Sequence, residues 1–184
     1  MEVKELMDLV LKCVWFLSPA ALANPTAVLV RKIRILENPL DFNRTFRNKP
    51  IFGRNKTWRG LIFGTGIAVI IFIFQKWLYQ FSFFERISLI NYNETSLFLG
   101  FLLGFGAMSG DLIKSFFKRR LNILPSQPWF PFDQVDWVFG ALVFSSVFYF
   151  PPAEVIILMI FLGLFSHPII NYLGFRLGLK EKRF

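Results

Sequence analysis

The chain has 184 residues, of which 54% are hydrophobic and only 18% charged, with a net charge of +9. A water-soluble domain carries about 25% charged residues, so this composition excludes one and points to a chain dissolved largely in lipid. A single cysteine, Cys13, also excludes an internal disulfide and a cysteine metal cluster.

Crossing a bilayer core takes about 20 mostly apolar residues per helix, because hydrocarbon offers no partner to a free backbone N–H or C=O. Five stretches answer to that demand. The expectation is an all-α integral membrane protein, a bundle of five transmembrane helices forming one domain over residues 1–184. The first span, about 6–30, contains Lys12, Pro19 and Pro25 and is expected to be kinked or broken. Acidic residues flank its start, which argues against a cleaved signal. The second span covers about 60–79. The third, about 95–117, has Asp111 and Lys114 at its far end. The fourth is short if it starts at Asp136 and reaches a better length as 133–150; it stops at Pro151 and Pro152, so a tight helical hairpin should lead into the fifth, 153–175. No low-complexity segment or internal repeat is visible. Gly60 and Gly64, Gly100 and Gly104, and Gly106 and Gly110 are spaced i, i+4 and predict close helix packing, with Gly110 also placed to clear room for a ligand.

Charge bias sets the orientation. Residues 31–59 carry nine Arg and Lys against Glu37 and Asp41, and the tail is basic as well, whereas the N-terminal residues and the loop after the second span carry a slight negative balance. The N-terminus is therefore expected outside and the C-terminus in the cytoplasm, with the first and third loops on the cytoplasmic face.

The polar residues carry the chemistry. An unpaired carboxylate at Asp111 costs on the order of 3 kcal/mol in an apolar helix. Lys114 and Lys118 follow near one helical face, so an intrahelical Asp111–Lys114 pair is the simple reading. Asp133 and Asp136 lie at a helix start, where the dipole favours negative charge and Asp133 suits an N-cap. A cap needs one carboxylate, however. If the third and fourth spans are neighbours, Asp111, Asp133 and Asp136 form a cluster whose mutual repulsion a hard cation such as Mg²⁺ would relieve. Loops after the first and third spans share a side of the membrane, which brings the basic first loop to that cluster. Arg31, Lys32 and Arg34 read as anionic-lipid anchors, with Trp58 snorkelling at the interface. Asn55, Lys56 and Thr57, just before a helix start, read as a phosphate site built from side chains and free backbone N–H groups. The spacing is not that of a Walker A loop.

A metal cluster beside a phosphate site at a bilayer surface indicates phosphoryl or nucleotidyl transfer to a lipid. A lipid phosphate is already ionised near neutral pH and needs no general base. The one histidine, His167, with Pro168 and Asn171, offers either a polar face towards the site or a hydrogen-bonded structural histidine, the latter being the ordinary role.

Two separated elements resemble a known family. Ser115-Phe116-Phe117-Lys118-Arg119 matches S-x-x-K-R, and Asp133-Gln134-Val135-Asp136 matches D-R-x-D with Gln for Arg. Both belong to the CDP-diacylglycerol synthase superfamily, and Asn55–Gly60 looks like its upstream K-K-T-x-E-G element. The loop before Asp133 is shorter than in the larger enzymes, lacks their Lys-Asp pair and has Phe130-Pro131-Phe132 in place of His-Gly-Gly. In length and layout the chain is most similar to the small archaeal branch, the CDP-archaeol synthases. The resemblance implies a Mg²⁺-dependent cytidylyltransferase of the cell membrane, with its site on the cytoplasmic side. Its partners would be CTP, a prenylated glycerol-1-phosphate ether and membrane lipids, with no nucleic acid. Asp111, Asp133 and Asp136 would bind metal. Asn55, Lys56 and Thr57 would hold the triphosphate, and Lys114 and Lys118 the reacting phosphates with help from Arg119. Two rivals remain at this point: a small transporter or channel subunit, and a CDP-alcohol phosphotransferase, whose DGxxAR…GxxxDxxxD pattern is absent.

Overall fold

A computed structural model describes the backbone of residues 2–125 and 127–176, and side chains within them as far as Phe165. His167 and Asn171 lie outside the described side chains. Among the described residues, five long helices make the bundle: α1 (Val3–Leu29), α2 (Trp58–Leu78), α4 (Phe98–Arg120), α5 (Phe132–Ser145) and α6 (Ala153–Arg176). A short α3 (Ser82–Arg86) lies in the second loop, and a hairpin of β1 (Thr45–Phe46) and β2 (Lys49–Pro50) lies in the first. Among the described residues, Val3–Lys32 and Trp58–Leu78 are long and apolar enough to cross a membrane, with mean hydropathy 1.6 and 1.9.

Of the kink or break expected in α1, the break is absent: the helix runs unbroken through Pro19 and Pro25, and a neighbouring helix helps to explain why. Pro19 has no N–H to give Trp15, four residues back, so that carbonyl loses its helical partner. Gln75, fully buried on α2, donates its amide to Trp15 O, and Ser18 Oγ donates to the same carbonyl at 2.9 Å. The helix continues because a second helix supplies the missing donor. Gln75→Ala should orphan the carbonyl and destabilise the protein by about 1–3 kcal/mol, read as a lowered thermal midpoint in detergent.

Two further boundaries differ from expectation. Helix α5 stops at Ser145, so its 14 residues span only about 21 Å, and residues 146–152 rather than two prolines turn the chain into α6. The α4 helix runs on to Arg120, carrying Lys118 and Arg119 in regular helical register.

The core lies where α1, α2, α4 and α5 meet, with Phe16 and Ala20 of α1, Phe72 of α2, Leu103 and Ala107 of α4 and Val138 of α5 all fully buried. Outside it, Ile70, Phe74, Phe117, Phe139 and Val143 are exposed, an apolar exterior that lipid rather than water would solvate. All three predicted glycine pairs sit at helix contacts. A Cβ at Gly104 would come within 2.4 Å of Ala68 Cβ, and one at Gly110 within 2.1 Å of the Asp136 carbonyl oxygen. Gly110 thus packs against backbone on one side, and it also lines the apolar cleft between α4, α5 and α6. Its counterpart on α5 is Gly140, which the sequence reading did not single out; a Cβ there would stand 2.0 Å from Gly106 O. These contacts let α4 and α5 approach backbone to backbone and form the most extensive interface in the bundle.

Candidate active site

Helical spacing places Asp111, Lys114 and Lys118 along one face of α4, and Asp133 and Asp136 along one face of α5. The glycine contacts then press the two faces together. Lys114 becomes the hub, its Nζ lying 3.0 Å from Asp111 Oδ1, 3.1 Å from Asp133 Oδ1 and 2.8 Å from Asp136 Oδ2. Lys118 Nζ lies 3.1 and 3.0 Å from the two oxygens of Asp133 and also donates to the Gln127 carbonyl. From the first loop, Lys56 pairs with Asp111 Oδ2. The simple intrahelical Asp111–Lys114 pair therefore exists, but as one edge of a six-residue cluster drawn from three segments.

The cluster contains three carboxylates and three ammonium groups, so its formal charge is balanced. Asp111 and Asp136 are each 9% exposed and Lys118 6%, and charges so buried persist only when paired. Backbone donors add to the pairing: Trp129 N–H donates to Asp133 Oδ2 at 2.6 Å and Trp137 N–H to Asp136 Oδ1 at 2.8 Å. Asp133 is not the expected N-cap. The cap position is Pro131, and Asp133 sits inside the first turn with its carboxylate turned to the two lysines.

The phosphate-binding reading of residues 55–57 needs one correction. The N–H of Lys56 and those of the first turn of α2 are already bonded. Lys56 N–H donates to Gly53 O, Trp58 to Asn38 O, Arg59 to Leu36 O and Gly60 to Thr57 Oγ1, which caps α2. Folding the loop back on itself consumes these four donors, so the side chains carry more of any anion contact than the sequence suggests. Asn55 is exposed and Lys56 faces Asp111, whereas Thr57 is committed to the cap. Arg119 reaches the first loop beside Gly53, with its Nε buried and unpaired.

Two residues that the sequence reading passed over hold that loop in place. Asp41, 6% exposed, accepts N–H bonds from Asn43, Phe52 and Gly53, each at 3.0 Å. Burial opposes its ionisation, but the amides of Gly53, Phe52 and Asn43 outweigh this and hold its carboxyl below the ordinary range. Its contribution to loop order is therefore complete above about pH 4 and is lost as pH falls through the depressed native value. Arg120 clamps the hairpin to α4, donating to the carbonyls of Phe46 at 2.6 Å, Lys49 at 3.2 Å and Pro50, while Lys49 Nζ donates back to Arg120 O at 2.9 Å. The Asx-turn spacing of Asp41 and Asn43 was a visible signal; nothing local marks Arg120. Asp41→Asn should loosen the loop that carries Lys56 by about 1–3 kcal/mol, read as faster amide hydrogen exchange at Asn43, Phe52 and Gly53.

Next to the cluster, a cleft of about 780 Å³ opens between α4, α5 and α6. Ile113, Phe117, Trp129, Phe139 and Val143 line it, and Lys114 and Asp136 of the cluster also border it. Six carboxylate oxygens are the hard donors that Mg²⁺ takes, and Asp136 Oδ2 is buried with an ion-pair partner but no hydrogen bond. The donor set thus suits such an ion. Among the described residues, no three acidic, His or Cys side chains are arranged as they stand to hold a metal, because ammonium groups occupy the centre.

A helical bundle with an apolar exterior and a buried charged cluster beside an apolar cleft has the layout of an intramembrane enzyme. The fold is shared with a solved structure described as an intramembrane enzyme for archaeal membrane lipid biosynthesis, at TM-score 0.71 and 24% identity, covering 88% of this chain and 94% of that one. The family model for CDP-archaeol synthase, CarS-like, matches residues 6–184. The CDP-archaeol synthase of Archaeoglobus fulgidus is 37% identical over 183 residues, spanning 96% of this chain and 98% of its own length. That of Methanocaldococcus jannaschii is 32% identical over 168 residues, 91% and 93% of the two chains. The chain belongs to the CDP-archaeol synthase family, and as a member it is a CTP-dependent cytidylyltransferase acting on a lipid phosphate.

Proposed function

We propose that this protein transfers a cytidylyl group from CTP to an unsaturated, doubly prenylated glycerol-1-phosphate ether in a Mg²⁺-dependent reaction at the cytoplasmic face of the cell membrane. The products are CDP-archaeol and pyrophosphate. The observation that carries this reading is the meeting of three carboxylates and three ammonium groups beside an apolar cleft that Lys114 and Asp136 border. Five spans with the N-terminus outside would place that cluster on the cytosolic side, where CTP is found, in agreement with the positive first loop.

Asp111, Asp133 and Asp136 would hold the metal, which when bound spreads the charge of the phosphates. Lys56, with Asn55 and Arg119 beside it, would hold the β- and γ-phosphates. Lys114 and Lys118 would face the α-phosphate, where negative charge grows as the bond forms. A lipid phosphate oxygen attacks the α-phosphorus in line, the bond from that phosphorus to the bridging oxygen breaks, and pyrophosphate leaves with the electron pair. No proton has to be removed from the nucleophile, because a lipid phosphate is already ionised near neutral pH. The cleft lined by Ile113, Phe117, Phe139 and Val143 suits one hydrocarbon chain of the acceptor, whose phosphate would then reach Lys114.

The test is incubation of purified protein with CTP, Mg²⁺ and either the prenyl ether phosphate or a fatty ester phosphate, with assay of pyrophosphate and CDP-lipid. Product from the ether is expected. Absence of product from both acceptors overturns the reading and favours a transporter or channel subunit.

A further inference from the structure

We propose that Lys56, Lys114 and Lys118 are resident counter-ions that change partners when substrate binds, leaving the aspartates and taking the triphosphate, so that metal and nucleotide bind cooperatively. This rests on the proposed function and adds to it an order of charge exchange within the site.

The balance of the cluster carries the argument. Three aspartates and three lysines neutralise one another in a site largely closed to water. A divalent cation arriving alone would take the carboxylates and leave buried ammonium groups with no anion, a costly state in a low dielectric. A triphosphate arriving alone would draw off the lysines and leave three carboxylates repelling one another. When both arrive, each released group finds a new partner: carboxylates with metal, ammonium groups with phosphate. Each ligand therefore lowers the cost of binding the other, and by linkage the effect is reciprocal.

Lys114 is the centre of the exchange. It contacts one oxygen of each aspartate, so its movement frees a donor on all three at once. Lysine suits this role because its ammonium is a compact charge on a flexible stem, whereas an arginine fork would fix two carboxylate oxygens in one plane. Lys118, tied also to the Gln127 carbonyl, is the least free of the three.

The experiment uses full-length protein in detergent without lipid phosphate, so that no turnover occurs. Protein-bound Mn²⁺ and labelled CTP are both followed by equilibrium dialysis, at matched free Mn²⁺ with and without saturating CTP, and the Mn²⁺–CTP complex measured in the protein-free chamber is subtracted. Mn²⁺ is expected to bind about 10-fold or more tightly with CTP present, and CTP to gain the same factor from Mn²⁺. In Lys114→Gln, Mn²⁺ alone should bind more tightly than to wild type and the gain from CTP should shrink. CTP binding with Mn²⁺ affinity unchanged overturns the exchange while leaving the proposed function standing. Failure of CTP to bind under any condition overturns both. If Lys114→Gln does not fold, the wild-type pair of titrations decides alone.

Discussion

Asp136→Asn is expected to lower cytidylyl transfer by about 10²–10³-fold while leaving the helices folded. The amide matches the carboxylate in size and its oxygen can still accept the Trp137 N–H bond, so packing is kept. What is lost is one of the three negative charges around Lys114, together with the oxygen that has an ion-pair partner but no hydrogen bond. Lys114 retains Asp111 and Asp133 as partners. Asp133→Asn should lose activity to a similar degree, since it meets both Lys114 and Lys118. The measurement is initial rate of CDP-lipid formation beside a thermal melt in detergent. Full activity in either variant would remove the metal assignment.

Gly140→Ala should damage stability and activity together. Its Cβ would stand 2.0 Å from Gly106 O and 3.0 Å from Gly110 N, and both are helix backbone with no flexible end to yield. The α4 and α5 helices must then separate, at a cost of about 1–3 kcal/mol or more. A shift of about 1 Å between Lys114 and Asp136 can by itself cost about 100-fold in rate. Gly66→Ala serves as the control, because nothing lies within 4 Å of a Cβ placed there; it should be neutral in both assays. Equal behaviour of the two variants would show that the close contact does not position the site.

Much of the candidate site could be read without coordinates because helical spacing is local. Asp111, Lys114 and Lys118 share a face whatever surrounds them, as do Asp133 and Asp136. The errors came where a distant group decided the outcome. Pro19 predicts a break until Gln75 supplies a donor from another helix. The amides of Lys56, Trp58 and Arg59 look free until the carbonyls of Gly53, Asn38 and Leu36 fold back to accept them. Asp133 resembles a cap until Lys114 and Lys118 turn its carboxylate inward.

Composition and periodicity by themselves determined that this chain forms apolar helices and which of their faces bear charge, since hydrocarbon tolerates no unpaired backbone and a turn of helix repeats every 3.6 residues. Only the tertiary structure decided which charges meet. Gly106, Gly110 and Gly140 bring two helices within backbone contact, and Asp41 with Arg120 sets the loop that delivers Lys56. Those partners are far apart along the chain, and no local preference encodes a distance across a bundle.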